Sequence, residues 1–254
     1  MTAIVSAACS HAISMAADGR LTNTFGDRSE ASTAAKMHVV DGVGVVMQWG
    51  NWVGPLFVHH LFRRSVCNID DLAYLTLDYL TEHYRPQDGE TADIGFHVGG
   101  FTPTGVARLY HIYFGVARPW DGNSPQDFDL RDHSPQNDSI SFLYNGRNDI
   151  LHEILQRPAG VDRFKQSTPT VADLAKSAQG WVQQAAVESS EVGPPFRARV
   201  ILPDNRIEIP TDGTRLYGGA MEYLHSSAEY QPSGRNIVPS AVARGTACVI
   251  RRTR

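Results

Sequence analysis

Four residues in this chain can be joined into one reaction: a threonine at position 2, an acid at Asp18, a lysine at Lys36 and a glycine at Gly50. A threonine hydroxyl is a poor nucleophile until a base takes its proton. Once Met1 is removed, Thr2 gains a free α-amine whose ordinary pKa of about 7.7–8.0 lies near working pH, so one residue carries both nucleophile and base. Threonine is small, and removal of the methionine before it by a methionine aminopeptidase is expected. A lysine close by lowers the pKa of both hydroxyl and amine, and an acid beside that lysine keeps it charged and fixed. A backbone N–H at Gly50 would meet the oxyanion, because glycine lets the backbone approach a substrate. Taken singly, each residue has a plainer reading: a frayed terminus, a turn acid, a solvated charge. The chemistry lies in their joint occurrence.

Such residues need elements to hold them. Ala3–Cys9 and Ala12–Ala17 are continuous small and apolar runs, the pattern of strands covered on both faces. Residues 21–35, rich in Thr, Ser, Asn, Asp and Gly, predict a loop. Residues 36–40 and 43–48 predict a hairpin across Asp41-Gly42, whose residues tolerate positive φ. Two helices follow, 53–66 with Pro55 near its start and 68–84 with Asn68 as cap and Asp70 and Asp71 in the first turn. The second is apolar over a wide arc, so it lies between layers. Strands are expected at 94–102, 107–114 and 140–144, with 116–138 as a long polar surface insertion. A short helix is expected over 149–156. A clear amphipathic helix spans 171–187, where Thr170 and Asp173 suit a capping box. A strand pair, 196–202 and 206–210, closes the readable part, and 246–252 suggests a last strand. Strands and helices come in blocks rather than in β–α alternation, which favours stacked sheets covered by helices over a doubly wound parallel sheet. The expected division is one domain, 1–216, with the insertion at 116–138, and a C-terminal extension, 217–254, packed on it.

Composition narrows the function classes. A net charge of −4 gives no reason to expect nucleic acid or an anionic membrane as partner. No apolar run is long enough to span a membrane, and the start lacks the pattern of a signal peptide, so a cytoplasmic protein is expected. Cys9, Cys67 and Cys248 are widely spaced, which argues against a disulfide framework and a zinc site and suggests buried or half-buried thiols. The adjacent His59 and His60 face different ways on a helix, so neither is expected to hold a metal. No metal and no cofactor is expected.

The opening resembles a β-type proteasome subunit of the N-terminal-nucleophile hydrolase superfamily, nearest in character to the bacterial subunits HslV and Anbu. The residues that carry the likeness are Met1-Thr2-Ala3-Ile4-Val5, Ala16-Ala17-Asp18-Gly19-Arg20-Leu21-Thr22, Lys36-Met37-His38 and Trp49-Gly50. Asn145-Gly146-Arg147 and Val192-Gly193-Pro194-Pro195-Phe196 are similar to later turns of the same family, and the likeness extends over residues 2–202. It implies an α+β fold, a four-layer αββα sandwich with two antiparallel sheets flanked by helices. It implies Thr2 as nucleophile and base, Asp18 and Lys36 as its charge partners, and Gly50 as oxyanion donor. Thr22 would pair with substrate as an added strand, Gln48 would line the specificity pocket, and Leu21 and Trp52 would flank the substrate. Arg20, Arg147, Ser189 and Ser190 are the candidates for the supporting shell.

Departures from the family pattern sit in that shell. Arg147 stands where a serine is usual, and Ser189, Ser190 and Glu191 are the nearest counterparts of an acid and serine that precede the late glycine. The loop before Lys36 is slightly longer than usual. The activity implied is that of a threonine-type endopeptidase, in a homo-oligomeric ring or spiral that encloses its sites and acts on peptide or protein substrates. An ATPase partner is left open. Two alternatives stand beside it: an amidase acting on a small amide, for which the polar Gln48 speaks, and an inactive ring-forming scaffold.

Overall fold

The structure is a computed structural model, and it describes residues 2–25, 28–84, 93–115, 127–137, 139–157, 160–165 and 168–210. The first sheet is built from β1 (Ala3–Cys9), β2 (Ala12–Ala17), β10 (Ser141–Gly146), β11 (Arg197–Ile201) and β12 (Ile207–Glu208), in the order β10-β1-β2-β11-β12. The second is built from β5 (Met37–Val40), β6 (Gly44–Gly50), β7 (Ile94–Phe101), β8 (Ala107–Gly115) and β9 (Asp127–Asp132), in that order. Every pairing is antiparallel. Helices α1 (Gly54–Arg63) and α2 (Ile69–His83) cover the second sheet, and α3 (Asn148–Gln156) and α4 (Val171–Glu188) cover the first. The expected αββα sandwich is the architecture observed.

The alternation of each strand explains the layers. In β1, Ile4 and Ala8 belong to the core between the sheets, whereas Ala3 and Val5 pack with Leu151, Ile154 and Trp181 of α3 and α4. In β6, Val45 and Met47 face the inter-sheet core and Val46 joins Phe57, Leu72 and Tyr79 under α1 and α2. Both faces of these strands are buried, which is why they read as unbroken apolar runs. The helix signals also hold. Asn68 accepts from the Asp71 N–H, and Thr170 and Asp173 form the reciprocal capping box.

Three expectations need correction. Residues 21–35 are not a plain loop: β3 (Arg20–Phe25) and β4 (Arg28–Thr33) form a separate two-stranded hairpin. Their polar, threonine-rich composition reads as loop because it lacks the apolar run or alternation that marks a strand in sequence. The 116–138 segment is not wholly irregular, because β9 extends the second sheet by pairing with β8 along 127–132. Its alternation, with Phe128 and Leu130 packed on the α1–α2 side, was hidden among acids and prolines. Among the cysteines, Cys9 is a buried free thiol, whereas Cys67 is disulfide-bonded, and Cys248 lies outside the described residues. The strand expected at 246–252 and the extension 217–254 also lie outside them. Among the described residues no helix is long and apolar enough to cross a membrane.

Candidate active site

Thr2 precedes β1 and is 3 % exposed. Its strand parity with Ile4 directs its side chain toward the gap between the sheets. Its carbonyl accepts from the Arg147 N–H at 2.8 Å. The turn that delivers that N–H requires Gly146, with φ +100° and a position at which a Cβ would lie 1.8 Å from the Thr2 oxygen. No L residue with a side chain fits there.

Asp18 directly follows β2 and is almost wholly buried. Oδ1 accepts from the Ala3 N–H at 2.9 Å and from Lys36 Nζ at 2.8 Å. Oδ2 accepts from the N–H groups of Arg20 at 3.2 Å and Gly193 at 3.3 Å. The residue following Thr2 and the lysine thus share one carboxylate oxygen. Lys36 also donates to the Arg20 carbonyl at 2.5 Å. Burial pushes the Lys36 pKa down, and the charge and hydrogen bond of Asp18 oppose that shift. A buried ion pair of this kind is satisfied only because backbone donors fill the remaining carboxylate lone pairs.

Gly50 ends β6 with φ +75°, and a Cβ there would meet the Asp93 carbonyl at 2.1 Å. It lies at the same end of the second sheet as Lys36, because the Gln48 N–H donates to the Lys36 carbonyl at 2.8 Å. Gln48 shares the helix-facing side of β6 with Val46; it is buried, and Nε2 donates to the Asn51 carbonyl at 2.5 Å while Oε1 has no partner. Trp52 and Leu56 are exposed apolar groups beside it. Leu21 and Thr22 lie in β3, where Thr22 pairs with Ala31.

The remaining candidates separate into two groups. Arg147 Nη1 donates to Ser189 Oγ and to Glu191 Oε2, both at 2.8 Å, and its Nε and Nη2 grip Asp149 bidentately at 3.0 and 2.7 Å. This fork joins the turn that binds Thr2 to the loop 189–193, whose Gly193 carbonyl accepts from the Gly19 N–H at 3.1 Å. The Asp149 carboxyl is held down to about 2 by Arg147 and by the Ile150 N–H. Ser189 and Glu191 are the members of this loop brought to Arg147, while Ser190 between them is exposed. Arg20 contributes its backbone, while its Nε is buried without a partner.

One group escaped the sequence reading. His97 of β7 is fully buried between the sheets, with Nδ1 2.9 Å from Ser6 Oγ and Nε2 2.7 Å from Asn145 Oδ1. Its only sequence signal was a polar residue within an apolar strand. Elsewhere His60, Glu82 and His83 bring donor atoms within 4.8 Å of one another. Two ligands of a first-row ion stand at most about 4.4 Å apart, and Glu82 is within reach of Arg64 at 3.6 Å.

These geometries can be set against known structures. Anbu, the ancestral β-subunit from Yersinia bercovieri, superposes with a TM-score of 0.59 at 19% identity, covering 92% of this chain and 99% of that one. The fold is the Anbu fold. An Anbu (Gly-1) mutant from Hyphomicrobium sp. strain MC1 gives 0.59 at 18% identity over 90% and 93% of the two chains. Anbu from Pseudomonas aeruginosa, solved as a helical assembly, gives 0.54 at 20% over 92% and 98%. No protein-family model matches the sequence, and no curated protein does. At such identities the Anbu fold is shared while side-chain roles rest on this chain's own geometry.

Proposed function

We propose that this protein is a threonine-type N-terminal-nucleophile hydrolase, an endopeptidase, that uses Thr2 after removal of Met1. The observation that carries this reading is the shared Asp18 Oδ1, which ties Lys36 to the residue following Thr2. The Thr2 α-amine takes the hydroxyl proton as Oγ attacks the substrate carbonyl. The Lys36 ammonium, kept charged by Asp18, favours the deprotonated forms of both groups. The tetrahedral oxyanion meets the backbone N–H at Gly50, a kind of contact worth roughly 10²–10³ in rate. The protonated amine then gives its proton to the leaving nitrogen, and water, activated by the same amine, releases the acyl group from Oγ. No metal or cofactor enters these steps.

Substrate binding follows from the edges of the site. Among the described residues, β3 pairs only with β4, so its other edge at Leu21 and Thr22 is open to an added peptide strand. Gln48, Trp52 and Leu56 border the space for the substrate side chain at the cleavage point. Arg147, Ser189 and Glu191 orient the backbone around Thr2. The protein assembles with copies of itself into a ring or spiral, as the helical assembly of the Pseudomonas aeruginosa Anbu complex suggests.

Intact mass tests this reading. The purified protein is expected to lack Met1, to gain one equivalent of a peptide epoxyketone, and to lose that labelling in Thr2→Ala. Retention of Met1 in the assembled protein overturns it.

A further inference from the structure

Behind Thr2, the space between the sheets is not wholly apolar. Ser6 stands on β1, four residues along from Thr2 and on the same face as Ile4. Asn145 stands on β10 beside Leu143 of the inter-sheet core and opposite Ile4. His97 comes from the other sheet, on the face of β7 opposite to Phe96 and Val98, which pack under α1 and α2. Its imidazole bridges both strands. Since Asn145 Oδ1 accepts, the ring proton sits on Nε2, and Nδ1 accepts from the Ser6 hydroxyl. Every polar atom of the ring is used, in a place where an unpaired one costs about 1–3 kcal/mol.

The bridge ends where Thr2 is held. Asn145 directly precedes Gly146, which pairs with Ala3, and Arg147, whose N–H binds the Thr2 carbonyl. We propose that His97 is a positioning residue for Thr2: by locking Asn145 to β7 and Ser6, it sets the height of the Gly146–Arg147 turn, and with it the distance from the Thr2 hydroxyl to the carbonyl carbon it attacks. Ser6 and Asn145 are its two anchors. An apolar residue of equal volume would fill the same space but leave β10 free to slide against the opposite sheet. Displacing a nucleophile by about 1 Å costs on the order of a hundredfold in rate, so the link is expected to govern the chemical step and not substrate affinity. The proposal rests on Thr2 being the nucleophile.

The experiment measures labelling of the full assembled protein by a peptide epoxyketone, resolved into a maximal inactivation rate and a half-saturating concentration, for the wild type, His97→Phe, His97→Gln and Asn145→Leu. The rate is expected to fall about ten- to a hundredfold in His97→Phe and Asn145→Leu at unchanged half-saturation. His97→Gln retains a donor near the Nε2 position and is expected to recover most of it. Amide exchange at Arg147, read independently of any labelling, is expected to quicken by about tenfold in His97→Phe and to stay near wild type in His97→Gln. Wild-type rate and wild-type Arg147 exchange in a folded His97→Phe overturn the proposal, as does a Gln variant no better than Phe. If His97→Phe does not assemble, Ser6→Ala, which removes one anchor, is expected to lower the rate less but in the same way, and an unchanged rate there overturns the proposal. Wild type that takes no label sinks the Thr2 reading and with it the effect on rate, whereas wild type that labels while His97→Phe keeps wild-type rate and exchange sinks the positioning role alone.

Discussion

The two sides of Thr2 are built on opposite principles. On one side, Lys36 and Asp18 are buried, with side chains 3 % and 0 % exposed, and every carboxylate lone pair is met by a fixed donor. On the other, Arg147 reaches through partly exposed groups to Asp149 and Glu191. A desolvated pair is costly to break because its surviving partner cannot turn to water, whereas exposed pairs are worth little each. The contrast assigns stability to the first side. To the second it assigns geometry that water can partly replace.

The sharpest way to break this contrast is Lys36→Ala. It is expected to abolish epoxyketone labelling and to destabilise by about 3–5 kcal/mol in urea melts, because Asp18 loses the charge of Lys36 in a buried site. Lys36→Ala with near-normal stability would mean the pair is wetter than its burial indicates.

Acid separates the two sides from within. Burial holds His38 and His111 down to about 4 and His97 down to about 3, against an ordinary 6.5. These folded-state values are depressed, so below pH 6.5 the unfolded chain binds more protons and stability falls as pH falls, by up to about 1.4 kcal/mol per histidine per pH unit. The decline is expected between pH 6.5 and about 4. Asp149, whose pKa is also depressed in the folded state, contributes stability above its unfolded value of 3.8 that is lost as pH falls toward 2. Urea midpoints from pH 7 to 4.5 are therefore expected to drop before the Arg147 cluster titrates, and a flat profile over that range would contradict the buried neutral histidines.

Gly146→Ala probes the contact between the sides. With a Cβ placed 1.8 Å from the Thr2 carbonyl and φ +100°, the turn must move, and a loss of more than about 1 kcal/mol is expected together with loss of labelling. The smallest stability effect belongs to Arg147→Met: within about 1 kcal/mol of wild type by urea melt, yet with a labelling rate reduced several-fold. Arg147→Lys is expected to do little better, since an ammonium cannot span Asp149, Ser189 and Glu191 as the guanidinium fork does. If Arg147→Met matched Lys36→Ala in cost, the two sides would not differ in kind.

What the sequence revealed follows local rules. The buried strands, the Asn68 cap, the Thr170 box and the Asp41-Gly42 hairpin were legible because each depends on neighbours along the chain. Asp18, Lys36 and Gly50 were named as a set through the likeness of the opening to a β-type proteasome subunit, since each alone reads as a turn acid, a solvated charge or a strand-end glycine, and the strands near them belong to two different sheets. The β3–β4 ribbon and β9 were not, because their polar composition reads as loop until a pairing partner is known, and pairing is a property of space. Arg147, Ser189 and Glu191 were named from the family likeness, but the contacts of the fork that joins them were hidden, and the Ser6–His97–Asn145 bridge was hidden altogether. Forty-two residues separate Arg147 from Ser189, and ninety-one separate Ser6 from His97. Sequence alone determined the buried strands, the caps and the amphipathic helices, and offered Thr2, Asp18, Lys36 and Gly50 as candidates. Only the tertiary structure decided that Lys36 and the N-terminal strand share one Asp18 oxygen, and that a histidine from the opposite sheet stands behind Thr2, because both facts arise where chain segments far apart in sequence are packed against each other.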